Sequence, residues 1–187
     1  MAREQMKRER RTGVGKFSLV CGVLSFLLLA GCSGVSTPPE PRLVEHPLPE
    51  LNVIQKKFDQ VVADVYKREG EVWHHGTFGN YIIYWNGGNN RGWCFEWQSV
   101  VYRNMIETIR GAGWEAAKIN VGVGTAKEHH VVLVYDPEVH NLESIQKEPF
   151  GAQAWVLDAW YHGRPDIYLL KDWLAFVYDN DPGFKYE

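Results

Sequence analysis

Three residues of different chemical type, Cys94, His130 and Asp158, follow one another along the chain in an order that could build a nucleophilic site. A thiol nucleophile needs a base that holds it as thiolate, and the base needs an acceptor that fixes its tautomer. The other two cysteines, Cys21 and Cys32, lie in or beside an apolar N-terminal segment. If that segment is removed or modified, Cys94 is the one free thiol left and cannot be half of an intrachain disulfide.

The residues after Cys94 predict that this thiol stands at the start of a helix. Between Cys94 and Arg110 there is no Gly or Pro, and large apolar residues recur every four positions, at Trp97, Val101, Met105 and Ile109. The run Gly111-Ala112-Gly113 predicts the end of this helix. The partial positive charge of a helix N-terminus favours the thiolate, so this position suits a nucleophile.

His130 and Asp158 fall in two segments that predict strands, His130 to Tyr135 and Ala154 to Trp160. Neighbouring antiparallel strands could bring both side chains in line with Cys94. Asp158 stands among Val, Leu, Ala and Trp residues, and burying a carboxylate there without a partner would be costly. A paired histidine explains this aspartate better than a solvated position does.

Each of these two positions has an alternative in the sequence. His129 precedes His130, and adjacent strand residues point to opposite faces, so only one of the two can reach the site. Asp166, which follows Pro165 at a turn, could replace Asp158 as the third residue.

The remaining elements predict an α+β fold. Apolar residues at spacings of three and four predict a first helix from Leu51 to Gly70. The stretch from Tyr81 to Trp85 is compatible with a short strand, and further strands are predicted at Ala116 to Val123 and at Ile167 to Leu170. The order of helices first and strands later indicates N-terminal helices packed on a small antiparallel sheet.

The N-terminus has the three successive parts of an export signal. Residues 1–16 are basic, residues 17–30 are apolar but short of the roughly 20 needed to span a bilayer, and the run Leu28-Leu29-Ala30-Gly31-Cys32 follows. This run resembles the lipobox of bacterial lipoproteins. The resemblance implies a signal peptide over residues 1–31, lipidation of Cys32 and, because Ser33 follows, sorting to an outer membrane. The alternative is an uncleaved membrane anchor.

The rest of the chain divides into a tether and one domain. Residues 32–50 hold five of the nine prolines and predict an extended linker, while residues 51–187 suit a single compact domain. Without residues 1–31 the net charge changes from −3 to about −7. An acidic domain with no basic stripe argues against a nucleic-acid partner.

Four sequence blocks together resemble the transglutaminase-like superfamily. They are Gly92-Trp93-Cys94-Phe95-Glu96, Gly113-Trp114-Glu115-Ala116, the block from His130 to Pro137, and Trp155-Val156-Leu157-Asp158. The closest branch is that of the bacterial transglutaminase-like cysteine proteinases, and the similarity spans residues 51–170. The resemblance implies a papain/transglutaminase-like fold.

The same resemblance assigns roles to the residues. Cys94 would be the nucleophile, His130 the general base and acid, and Asp158 the orienting carboxylate. His130 is preferred over His129 because it fits the family's His-apolar-apolar-Leu pattern. The backbone N–H of Cys94 would stabilise the oxyanion, with Asn89 or Asn90 as the second donor.

Aromatic neighbours separate this chain from the proteinase branch. Trp93 and Phe95 flank Cys94 where acidic residues usually stand in that branch, which argues against calcium dependence and leaves the substrate open. Trp93 and Trp97 are predicted to line the cleft. We expect no cofactor and no dedicated metal site.

The leading hypothesis is a cell-envelope thiol hydrolase, a peptidase or amidase acting through an acyl-enzyme on an envelope protein or a peptidoglycan peptide. Transamidation to an amine is equally compatible with the residues. One alternative is an NlpC-type peptidoglycan endopeptidase, which Asp158 disfavours. The other is a lipid-tethered binding module with an idle triad.

Overall fold

The computed structural model describes residues 48–125, 128–177 and 185–186. The chain divides into two units, Met1–Thr37 and Pro38–Glu187, and every described residue belongs to the second unit. The predicted signal peptide, Cys32 and most of the predicted tether lie outside the described residues. Within the second unit, helices pack on an antiparallel sheet, as expected for the α+β class.

In the part of the chain that the structure describes, three helices precede the first strand, one short helix lies between the second and third strands, and another follows the fourth. The helices are α1 Pro49–Glu69, α2 Gly76–Asn86, α3 Cys94–Gly111, α4 Leu142–Lys147 and α5 Leu170–Val177. The strands are β1 Glu115–Val121, β2 His129–Tyr135, β3 Ala154–Asp158, β4 Asp166–Leu169 and the two-residue β5 Lys185–Tyr186. Their order in the sheet is β4-β3-β2-β1-β5, and every neighbouring pair is antiparallel.

The two long helices match the apolar spacing of the sequence. Helix α1 begins at Pro49, which suits the first turn because its missing N–H would be unpaired there. The helix therefore begins two residues before the predicted start at Leu51. The apolar residues at spacings of three and four in α1 are all buried: Leu51, Ile54, Phe58, Val61, Val62 and Val65. Helix α3 begins at Cys94 and ends at Gly111, where the glycines predicted its end.

Successive side chains along each strand point to opposite faces of the sheet, so the core has two layers, one on each face. Even-numbered apolar residues of β2, such as Val132 and Val134, pack with α1 and α3. Odd-numbered residues, such as Val131 and Leu133, pack on the other face with α4 and α5. Both faces of the sheet are covered, so the strands are apolar on both sides rather than half polar.

One buried polar side chain fixes α3 on the sheet. Gln98 is 4% exposed, and its Nε2 donates to the carbonyl oxygens of Ile119 and Val131 and to Oδ1 of Asn120. These acceptors belong to β1 and β2. The first turns of α3, which carry Cys94, are therefore held close to the start of β2.

Helix α2 replaces the short strand expected between Tyr81 and Trp85, so that prediction is wrong. Aromatic and β-branched residues fit strands well, and α2 turns only two residues, Gly79 and Ile83, into the interior. Gly79 lies so close to His74 that an added Cβ would sit 3.0 Å from the Cβ of His74. Local packing of a small residue, and not an amphipathic pattern, places this helix.

Candidate functional site

The chain enters α3 through a constrained segment. The N–H of His74 donates to the carbonyl of Arg91 over 2.8 Å, and the N–H of Arg91 donates to Val72 over the same distance. Gly92 follows with φ +111, and a Cβ there would lie 1.9 Å from the carbonyl oxygen of His74. Only glycine fits this crossing, and it sets the direction in which the chain reaches Cys94.

Glu96 stabilises the start of α3. Its Oε2 accepts hydrogen bonds from the backbone N–H groups of Gly92 and Trp93, over 2.7 and 3.1 Å. A carboxylate in the first helical turn also complements the helix dipole. The backbone N–H of Cys94 belongs to that same turn, where N–H groups have no intrahelical acceptor.

Cys94 is the first residue of α3 and is 9% exposed. It is a free cysteine and packs in the apolar cluster that also contains Trp73, Trp97 and Trp160. Trp97, predicted to line a cleft, is only 1% exposed and belongs to the core. Its indole N–H donates to the carbonyl of His74, so Trp97 holds the entry segment in place.

The structure pairs Asp158 with His129, not with His130. Nε2 of His129 lies 2.8 Å from Oδ2 of Asp158, and both side chains are almost completely buried. The ring of His130 instead lies beside Phe95, and its Nε2 contacts Oε1 of Glu128 over 2.8 Å. The sequence preferred His130 at this position, but the histidine that pairs with Asp158 is His129.

Strand register explains why Asp158 pairs with His129 and not with His130. Val132 pairs with Leu157, and continuing the antiparallel register places Val131 opposite Asp158. Side chains two residues apart share a face, so His129 lies on the same face as Asp158 and His130 lies on the opposite one. The family pattern of His followed by apolar residues does not contain this information.

Asp158 is held as a carboxylate by four donors. Its Oδ1 accepts from the backbone N–H groups of Trp160 and Tyr161, over 3.0 and 3.2 Å. Its Oδ2 accepts from His129 and from the indole N–H of Trp173, the latter over 3.2 Å. Burial alone raises the pKa of Asp158, but the charge of His129 and these hydrogen bonds lower the pKa below its ordinary value.

His129 lies between two tryptophan rings, with centroids 4.8 Å from Trp160 and 5.7 Å from Trp173. Burial alone lowers the pKa of this histidine. The charge of Asp158, its hydrogen bond and the nearby Cys94 outweigh burial and raise the pKa to about 9. This raised pKa favours the protonated imidazole at neutral pH.

The hydrogen bond between Nε2 and Asp158 leaves the other ring nitrogen of His129 for the thiol. Because a carboxylate only accepts, Nε2 carries the hydrogen that Asp158 binds. Nδ1 is buried and has no well-formed hydrogen bond within the described residues, although Cys94 is close enough to act on the pKa of the ring. Catalytic hydrogen bonds are often loose without substrate, and this arrangement suits proton exchange between Nδ1 and the thiol.

The alternative carboxylate, Asp166, lies opposite Asp158 in the register of β3 and β4. Its side chain is 1% exposed and binds other partners: His162, Arg164 and the hydroxyl of Tyr168. Asp166 thus belongs to a separate buried network.

Neither asparagine proposed for the oxyanion is supported by its contacts. Oδ1 of Asn90 contacts His74 over 2.8 Å, and Nδ2 donates to Gly87 over 2.7 Å. Asn89 is exposed in the preceding turn. The described residues offer another group, since the indole N–H of Trp160 is buried without a hydrogen-bond partner and its ring lies against His129.

Comparison with protein-family models, with curated proteins and with solved structures finds no match.

Among the three predicted residues, Asp158 pairs with His129, Cys94 lies close enough to His129 to act on its pKa, and His130 has other partners. Within the described ranges, no group of three or more His, Cys, Asp or Glu side chains could hold a metal ion. Trp173 also helps to hold Asp158, but no local sequence signal marks it, because it lies 15 residues further along the chain in a separate helix.

Proposed function

We propose that this domain is a thiol hydrolase in which Cys94 is the nucleophile, His129 the general base and acid, and Asp158 the orienting carboxylate. One observation carries the proposal: Nε2 of the buried His129 lies 2.8 Å from Oδ2 of Asp158, Nδ1 has no hydrogen-bond partner within the described residues, and Cys94 is close enough to raise the pKa of the ring. A cationic imidazole next to a helix N-terminus favours the thiolate over the thiol.

The chemistry follows from these positions. The thiolate of Cys94 attacks the carbonyl carbon of an amide, and the developing oxyanion accepts hydrogen bonds from the backbone N–H of Cys94 and from the indole N–H of Trp160. Nδ1 of His129 gives its proton to the leaving amine as the C–N bond breaks, which leaves a thioester. Nδ1 then takes a proton from water, whose oxygen attacks the thioester and releases the acid and Cys94.

The broader assignment extends the same proposal. The sequence blocks favour a papain/transglutaminase-like fold of the cysteine-proteinase branch, and the His129–Asp158 pair favours this type over an NlpC-type endopeptidase. The lipobox resemblance favours lipidation at Cys32 and a position on the periplasmic side of an outer membrane. Peptides of envelope proteins or of peptidoglycan are the corresponding substrates, and no cofactor or nucleic acid takes part.

A second candidate is supported by the low exposure of the thiol. At 9% exposure, Cys94 offers little surface to a substrate, as expected for an idle site in a lipid-tethered binding module. Rapid modification of Cys94 in the folded protein would exclude this candidate, whereas a thiol that reacts only after unfolding would favour it.

The direct test is capture of the acyl-enzyme. The full chain is incubated with a mixture of envelope peptides, and the peptide containing Cys94 is analysed by mass spectrometry for an acyl adduct. We expect an adduct in the wild type and none in Cys94→Ala. A fluorescent primary amine added to the reaction separates hydrolysis from transamidation. Absence of both adduct and product with wild type would contradict the proposal.

A further inference from the structure

Helix α2 exposes four aromatic side chains on consecutive turns. Phe78 is 77% exposed, Tyr81 59%, Tyr84 75% and Trp85 76%. We call this set the aromatic face of α2. Single exposed apolar residues are common, but a contiguous cluster of large aromatic ones indicates an interaction surface.

Folding does not require the aromatic face. The residues that α2 buries are Gly79 and Ile83, so the four rings contribute little to the core. The helix also carries no Asp, Glu, Lys or Arg between Gly76 and Asn86. The partner must therefore accept an uncharged surface of Trp, Tyr and Phe.

The N-terminal part of the sequence indicates which partner the aromatic face binds. Residues 17–30 are apolar, and either interpretation of this segment, a lipidated Cys32 or an uncleaved anchor, attaches the chain to a bilayer. Sixteen residues separate Cys32 from Pro49, and a proline-rich segment of that length reaches about 50 Å when extended. Helix α1, with 21 residues, is only about 31 Å long, so either end of α1 is within reach of the bilayer.

We propose that the aromatic face of α2 lies in the interface of a phospholipid bilayer and forms a second membrane contact beside the N-terminal attachment. Trp and Tyr prefer this region because their rings are apolar while their N–H and O–H groups remain near water. A single attachment gives marginal membrane binding or leaves the tethered domain free to reorient, and a second contact fixes its orientation. Within the described residues no helix has the length and apolar character to cross a bilayer.

The absence of charge in α2 gives this contact a distinctive property. Basic segments bind anionic lipids and lose affinity as salt screens the attraction. The aromatic face should instead bind neutral phosphatidylcholine as well as anionic mixtures, with little effect of salt. This inference does not depend on catalysis at Cys94.

Trp85 provides a local reporter. The full chain is reconstituted into phosphatidylcholine vesicles with and without brominated acyl chains, which quench tryptophan on contact. We expect brominated lipid to quench part of the tryptophan emission of the wild type, and we expect this bromine-sensitive part to be absent in Trp85→Phe. Replacing Phe78, Tyr81 and Tyr84 together by serine should also remove the bromine-sensitive fraction, although Trp85 remains.

A matched triple variant serves as the control. Val53, Val139 and Phe150 are apolar residues outside α2 that are 42% to 59% exposed, and their replacement by serine should leave the quenching unchanged. Unaltered thermal unfolding of both triple variants shows that the fold is retained. Emission insensitive to bromine in the wild type would overturn the proposal. A Trp85 response to soluble peptidoglycan fragments, without quenching by lipid, would make the face a glycan surface and also overturn it.

Discussion

Replacing Asp158 by asparagine removes the charge that faces His129 while keeping the shape of the side chain. The carboxylate accepts two backbone N–H groups at Oδ1, and His129 and Trp173 at Oδ2. An asparagine has one acceptor oxygen, so its NH₂ group must face one of these two pairs of donors. At least two hydrogen bonds to a charged group are therefore lost.

The expected cost follows from those losses. Hydrogen bonds to charged groups contribute about 1.5–3 kcal/mol each, and removing one partner of a buried ion pair costs about 3–5 kcal/mol. We predict that Asp158→Asn lowers the free energy of unfolding by about 4 kcal/mol at pH 7. For a domain of this size, that loss corresponds to a fall in Tm of about 10 °C.

The pH dependence adds a second signature. The pKa of His129 is raised from 6.5 to about 9 in the folded protein, so its contribution to stability is fully present below pH 6.5 and is lost as the pH rises through about 9. The shift corresponds to about 3 kcal/mol. Replacing Asp158 removes the largest influence that raises the pKa of His129, while burial still lowers that pKa. This loss of stability at alkaline pH should therefore be much smaller in the variant.

Urea unfolding at pH 6.5, 8 and 9.5 measures both effects. Asp64→Asn, at an exposed position of α1, is the control and should stay within about 0.5 kcal/mol of the wild type. A loss of less than about 1 kcal/mol in Asp158→Asn, together with the wild-type pH dependence, would refute the inferred ion pair.

Three further substitutions test the parts that position the site. Gly92→Ala should lower the free energy of unfolding by about 3 kcal/mol, because the added Cβ would clash with the backbone of His74. Gly88 also has a positive φ of +67 but has open space around it, so Gly88→Ala should lower the free energy of unfolding by only about 1 kcal/mol. Equal losses for the two variants in urea unfolding would contradict the close approach of Gly92 to His74. Gln98→Ala should lower the free energy of unfolding by about 3 kcal/mol, because the buried acceptors on β1 and β2 lose their donor. A change below about 1 kcal/mol in the same assay would show that these hydrogen bonds do not hold α3 on the sheet. Trp173→Phe should cost about 2 kcal/mol and slow alkylation of Cys94, so an unchanged rate would exclude a positioning role.

Much of the fold was predictable because its elements carry strong local patterns. Apolar spacing defines α1 and α3, and glycines after Arg110 define where α3 ends. Helix α2 could not be predicted, because its residues favour strands and only two of them point inward. Its position depends on contacts with His74, which lies outside the helix.

The site was predictable in composition but not in register. Cys94 and Asp158 stood out because each residue type was unexpected in its local context. The choice between His129 and His130 depended on which one shares a face with Asp158, and both faces of β2 are buried, so alternation gave no polar cue. Strand pairing, fixed by contacts distant in sequence, decides this point.

The most direct test of the central claim is the rate of iodoacetamide alkylation at Cys94, measured by mass spectrometry in the folded full chain at pH 7 for wild type, His129→Ala and His130→Ala. The two variants differ by one position in the same strand and remove the same side chain. If His129 holds the thiolate, His129→Ala should slow alkylation by about tenfold or more, and His130→Ala should match the wild type within about twofold. Equal rates in all three proteins, or a loss confined to His130→Ala, would contradict the assignment of Cys94, His129 and Asp158.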